Sequence, residues 1–197
     1  MQAQIDDAGW HRDARRVPSP NFNARPAASE PSLLVVHCIS LPPGCFGGRD
    51  IEALFCNRLD CSADPYYAGL EGLRVSAHFL IDRAGQLTQF VSCLDRAWHA
   101  GASCWAGRSD CNDFSIGVEL EGAERIPYEA VQYERLAALT RELRRTYPAL
   151  AAGAVVAHSD IAPGRKTDPG PAFAWSRLRA ALRDTPAGVA GAAGERA

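Results

Sequence analysis

The spacing of hydrophobic positions changes several times along the chain, and each change marks an element. Leu33-Leu-Val-Val-His37 is a short apolar run after Pro31 and Ser32, and its length and β-branched content predict a buried strand. Asp50 to Leu59 sets Ile51, Leu54 and Phe55 at helical spacing, which predicts a short amphipathic helix. Val75 to Ile81 and Leu87 to Val91 flank the Gly-containing turn Asp82-Arg-Ala-Gly85 and read as a hairpin. In Phe114-Ser-Ile-Gly-Val-Glu-Leu120 the period is two. Phe114, Ile116, Val118 and Leu120 then share one face, and Gly117 and Glu119 the other. From Tyr128 to Arg145, Val131, Leu136, Leu139 and Leu143 recur near multiples of a helical turn, with Pro148 just beyond; this predicts the longest helix. Ala154-Val-Val-Ala-His158 repeats the apolar run that ends in histidine, and a last helix is expected around Phe173 to Leu182. Strands mixed with crossover helices imply an α/β or α+β domain with helices packed on a single sheet.

The ends lack such periodicity. Residues 1–31 read as an irregular arm, its stretch Ala14 to Pro31 laid over the domain and pinned by Trp10 and Phe22. Thr185 to Ala197 is rich in Gly and Ala and short of apolar anchors, so it is expected to be mobile and dispensable. One domain over 1–184 is the resulting expectation. With 197 residues, 47% of them hydrophobic, the chain can bury one good core. The balance of 21 basic and 23 acidic residues gives no polycationic surface for nucleic acid or an anionic membrane. Met1 to Trp10 carries Asp6 and Asp7 and no apolar stretch of signal-peptide length, which reads as a soluble cytoplasmic protein. Seven cysteines, an odd number without CxxC spacing, read as reduced thiols.

Candidate chemistry gathers where apolar runs end. His37 and His158 each close a strand, and in open sheets sites form at the carboxyl ends of parallel strands. Asp168 follows His158 by ten residues, in a loop whose Pro and Gly residues favour a fixed path. Two imidazoles and a carboxylate are a three-ligand set for a catalytic zinc, which leaves a fourth position for water. A strand-end histidine also serves as a hydrogen-bonded structural residue, and both readings stand at this point. Lys166, two residues before Asp168, is either a cation for a developing oxyanion or a solvated loop lysine. Arg165 should point away. Glu119, mid-strand, is either a proton acceptor or half of an ion pair on an open sheet face. Glu121, at the strand end, reads as a solvent-facing acid. His78 and His99 compete as ligands, but core hydrogen bonding or substrate contact accounts for them, and His11 has no supporting context.

The segments RRVPSPNFNARP, PSLLVVHCISLPPGCFGG, LRVSAHFLI, RAWHAG, CNDFSIGVELEG and AHSDIAPGRKTDPGP, in this order from about Trp10 to Leu182, resemble the zinc N-acetylmuramoyl-L-alanine amidases related to peptidoglycan-recognition proteins, in their cytoplasmic cell-wall-recycling branch. The resemblance implies a mixed central β-sheet flanked by helices and one Zn²⁺ per chain. It implies hydrolysis of the amide between the lactyl group of an anhydro-muramic acid and L-alanine of the stem peptide. His37, His158 and Asp168 take the ligand roles, Glu119 the proton acceptor and Lys166 the transition-state stabiliser. Cys38, Arg74, Ala97, Trp98 and His99 are the implied substrate contacts. The chain departs from the family pattern at Cys38, where an Asn is usual, and at Asp110, where a basic residue is common. Two alternatives remain: a non-catalytic peptidoglycan-binding module, and an amidase of intact exported peptidoglycan. All ligand positions are filled, against the first, and the N-terminus lacks an export signal, against the second.

Overall fold

In a computed structural model, which describes residues 3–151 and 154–183, the apolar runs assemble one mixed sheet. Its strands are β1 (Arg15–Arg16), β2 (Leu33–Ile39), β3 (Phe79–Ile81), β4 (Leu87–Gln89), β5 (Ser115–Glu121) and β6 (Val155–Ala157), in the spatial order β1-β4-β3-β5-β2-β6. The central strands β3, β5, β2 and β6 are parallel to one another. β3 and β4 form the antiparallel hairpin expected at Asp82–Gly85, where Asp82 Oδ1 accepts the N–H groups of Ala84 and Gln86. The helices are α1 (Asp50–Phe55), α2 (Ala130–Thr146), α3 (Pro148–Ala151), α4 (His158–Ile161) and α5 (Trp175–Arg183). The tail Thr185–Ala197 lies outside the described residues.

The two faces of the sheet are covered differently. On one, Val36, Ile81, Ile116, Val118 and Leu120 meet Leu136, Leu139 and Leu143 of α2 and Leu178 of α5 in a single core. Gln132 ties α2 down: its buried side chain donates to Ile81 O and Glu121 O at the ends of β3 and β5. The other face carries two separate clusters, one built on Leu54, Phe55, Leu80 and Phe90, the other on Leu33, Val35, Phe114, Val156 and Ile161. Three expectations change here. Phe114 joins the second of these clusters rather than the row of Ile116, because it still ends a 3-10 turn at ψ 12° and is not extended. Val131 is 38% exposed and caps Gly85 instead of entering the core. Phe22 is 43% exposed and its side chain joins none of these clusters.

The arm is more ordered than its composition suggests. β1 pairs parallel with β4, and Phe22–Ala24 pairs antiparallel with Asp95–Ala97. Its anchors are polar. Buried Asn21 donates to Phe55 O and Val75 O. The Arg25 guanidinium donates to Asn112 O, Asp113 O and Ser115 O. A further ribbon, Cys104–Trp105 with Arg108–Ser109, had no hydrophobic signature to announce it. Among the described residues no helix is long and apolar enough to cross a membrane. None of the seven cysteines is in a disulfide.

Candidate active site

Strand register builds the site. β2 and β5 pair so that His37 lies beside Glu119, and β2 and β6 pair so that Val36 lies beside Ala157. His158, the residue after Ala157, is therefore level with His37. There the chain turns directly into α4, whose first residue is His158. Asp168 arrives on a loop held by its own backbone: Arg165 and Lys166 N–H donate to Ala162 O, and Ser159 N–H donates to Asp168 O. Beyond it, the Tyr128 hydroxyl donates to Pro169 O at 2.8 Å. Gly170, at φ 81°, presses on the Glu124 backbone, where a Cβ would lie 2.5 Å from Glu124 Cα. No larger residue fits that contact.

The three expected ligand side chains converge. His37 Nδ1 and His158 Nδ1 are 2.9 Å apart, His37 Nδ1 lies 3.2 Å from Asp168 Oδ2, and His158 Nδ1 lies 3.1 Å from Asp168 Oδ1. Donors about 2.0–2.1 Å from a tetrahedral ion would be separated by about 3.3 Å, so this triangle fits a zinc ion with little adjustment. Two imidazoles with Nδ1 aimed at one point and a carboxylate beside them also suit the ion chemically. The opposite ring nitrogens are engaged: His37 Nε2 with His99 Nδ1 at 2.9 Å, and His158 Nε2 with Ala100 O at 3.2 Å.

Electrostatics agree with that role. Burial pushes His37 down to about 4, which keeps it neutral, the state a ligand needs. Burial alone would raise Asp168, but the His158 and His37 imidazoles at hydrogen-bond distance outweigh it and hold the carboxyl well below the usual carboxylate range. Glu119 is raised well above the carboxylate range, first by burial and then by Asp168, with Lys166 opposing. Its Oε2 is buried without a hydrogen-bond partner. Such an orphaned oxygen is costly unless a ligand or reacting group satisfies it.

His37, Glu119, His158, Lys166 and Asp168 all line one cleft of about 620 Å³. Leu41, Pro43, Leu54, Tyr66, Leu70 and Leu73 give it an apolar wall. Of the implied substrate contacts, Cys38, Trp98 and His99 also line it. Ala97 is buried in the ribbon opposite Phe22. Arg74 is exposed and opens on a neighbouring groove with Asn57 and Asp60. Arg165 turns from the carboxylate to donate to Ala100 O and Ala102 O. Glu121 is not solvent-facing: it is 6% exposed and accepts the N–H groups of Gly47 and Arg83. His78 accepts the Gly117 N–H and contacts Asp95 O. His11 contacts Glu142 at 2.8 Å and accepts the Asp13 N–H. Both are structural. The contact between His99 and His37 escaped sequence reading, and its one local sign was Gly117, whose missing Cβ leaves room for the His99 ring.

A family model described as N-acetylmuramoyl-L-alanine amidase matches residues 27–171. The 1,6-anhydro-N-acetylmuramyl-L-alanine amidase AmpD of Citrobacter freundii is 56% identical over 174 residues, 88% of this chain and 92% of that protein. A crystal structure of an AmpD selenomethionine derivative superposes with a TM-score of 0.86 at 56% identity, covering 89% of this chain and 98% of that one. The crystal structure of AmpDh3 from Pseudomonas aeruginosa in complex with anhydromuramic pentapeptide matches at 31% identity with a TM-score of 0.57, over 82% of this chain and 64% of that one.

Proposed function

The chain belongs to the N-acetylmuramoyl-L-alanine amidase family, and on that premise we propose that it hydrolyses the amide between the lactyl group of 1,6-anhydro-N-acetylmuramic acid and L-alanine, using one zinc ion, in cytoplasmic peptidoglycan recycling. The observation that carries this reading is the convergence of His37, His158 and Asp168 beside an unpartnered Glu119 oxygen in one cleft. His37, His158 and Asp168 would hold the metal, which when bound supplies Lewis acidity and brings the pKa of water toward neutrality.

The chain's own groups do the rest. Glu119 accepts a proton from the attacking water and returns it to the departing L-alanine nitrogen. Its buried, orphaned oxygen favours both steps, since a carboxyl held above its ordinary range is a stronger base toward water and is ready to hand the proton on. The Lys166 ammonium, on the Asp168 loop, faces the negative charge that builds on the amide oxygen. The apolar wall of Leu41, Leu70 and Leu73 keeps bulk water from part of the cleft, which strengthens both interactions.

The test is mass spectrometry of the products from a defined anhydromuropeptide, with and without a chelator. Release of the L-alanyl peptide is expected, abolished by the chelator and restored by one equivalent of zinc. Metal-replete protein that released no peptide would overturn the proposal. Faster cleavage of ordinary muramyl peptides would point instead to intact peptidoglycan.

A further inference from the structure

The two imidazoles proposed to hold metal lean on consecutive residues of one loop. His37 Nε2 meets His99 Nδ1 at 2.9 Å, and His158 Nε2 meets Ala100 O at 3.2 Å. A carbonyl only accepts, so His158 donates to it from Nε2, which leaves Nδ1 as the nitrogen for metal. His99 Nε2 lies 3.2 Å from Ser115 Oγ. With the His99 proton on that nitrogen, Nδ1 is an acceptor, and His37 must donate from Nε2 and leave its own Nδ1 for metal. Both Nδ1 atoms, the ones left for metal, face Asp168.

The loop is itself held in place. Asn112 Oδ1 accepts the N–H groups of both His99 and Ala100, at 3.1 and 2.8 Å. Arg165 donates to Ala100 O from the other side. The His99 ring lies against Gly117, where a Cβ would come within 2.5 Å of His99 Cγ. It stands edge-on to His37, with ring centroids 5.0 Å apart and planes at 83°.

We propose that the His99–Ala100 dipeptide is the positioning element of the site: by engaging Nε2 of both ligand imidazoles it sets which ring nitrogen each offers to metal and where it aims, with Asn112 and Gly117 as its supports. The inference rests on the metal-site reading above. It gives His99 a task other than hydrogen bonding to substrate, since both of its ring nitrogens are taken.

The test replaces His99 with Phe, which keeps a ring over Gly117 and removes the acceptor, and with Asn, whose Oδ1 can stand near the Nδ1 position. Zinc affinity is measured by competition with a chromogenic chelator, and the ring ¹⁵N shifts of His37 are read in metal-free protein. Affinity is expected to fall about 10–100-fold in His99→Phe, the usual cost of losing a partner behind a metal-bound histidine, and to recover largely in His99→Asn. His37 should pass from one tautomer to a mixture in the Phe variant alone. If His99→Phe does not fold, Ser115→Ala removes only the acceptor for His99 Nε2 and should give a smaller change in the same two readouts. Wild-type affinity together with an unchanged His37 tautomer in the variants would overturn the inference. If the wild-type protein took up no zinc at all, the proposed function would fail, while the tautomers of the metal-free proteins would still decide this question.

Discussion

Val36 and His37 are neighbours in β2, as Val118 and Glu119 are in β5, and all four are buried, yet the two faces they point to obey different rules. On the Val36 face, apolar side chains meet α2 and α5 in one continuous core, where volume and patterning matter more than identity. On the His37 face, polar groups sit level across three strands, and each needs a partner in a defined place. The first face stabilises the sheet; the second spends part of that stability holding charges and lone pairs away from water. A slip of one residue in register would exchange them, so the core side fixes the geometry of the reactive side.

Glu119→Ala should separate the two faces most sharply. The rate on an anhydromuropeptide is expected to fall about 10²–10⁴-fold, the usual share of a general acid–base group, with zinc content and thermal midpoint unimpaired. Loss of metal along with activity would instead make Glu119 part of the ligand framework. Lys166→Ala should lower kcat by about 10²–10³-fold, as removal of one oxyanion donor does, and an unchanged kcat would return Lys166 to the solvated loop. On the apolar face, Leu136→Ala should cost about 2–5 kcal/mol of unfolding free energy and leave kcat per folded molecule unchanged. Urea denaturation with active-site titration measures both, and a kcat that fell with stability would show that the faces are not independent.

The most gradual effect is on pH. Burial, and then the Arg25 guanidinium, push His78 down to about 3, whereas in the unfolded chain it takes a proton near 6.5. The unfolded state therefore binds more protons between these values. The contribution of His78 to the stability of the metal-free protein is complete above about pH 6.5 and is lost as pH falls toward about 3. Asp168, whose carboxyl is depressed, contributes in the same direction at the acid end. A urea midpoint that stayed level from about pH 7 to pH 4.5 would count against a neutral, buried His78.

The two faces were also unequally legible in the sequence. Ile116, Val118 and Leu120 declare the core side by period, as Leu136, Leu139 and Leu143 do for α2, because burial on one face repeats with the geometry of the element. His37 and His158 were legible because each interrupts an apolar run at its end. Phe114 broke the pattern since its backbone had not yet become extended. Glu121 was misread because two N–H donors, from Gly47 and Arg83, come from segments far away in sequence. Phe22 failed for a related reason: a residue type suited to a role does not fix the direction of its side chain. The contact of His99 with His37 spans 62 residues and follows no period, so only the assembled sheet reveals it.

The arm has a consequence outside catalysis. β1 is only two residues long, but Val17 and Ser19 extend its pairing by donating to Gln89 O and Phe90 O. This covers the outer rim of β4, whose open N–H and C=O groups would otherwise invite a strand from another molecule. A chain trimmed to begin after Asn21 would keep its proposed ligands and expose that rim. Its failure would be a matter of crowding: self-association that grows with concentration, visible as light scattering.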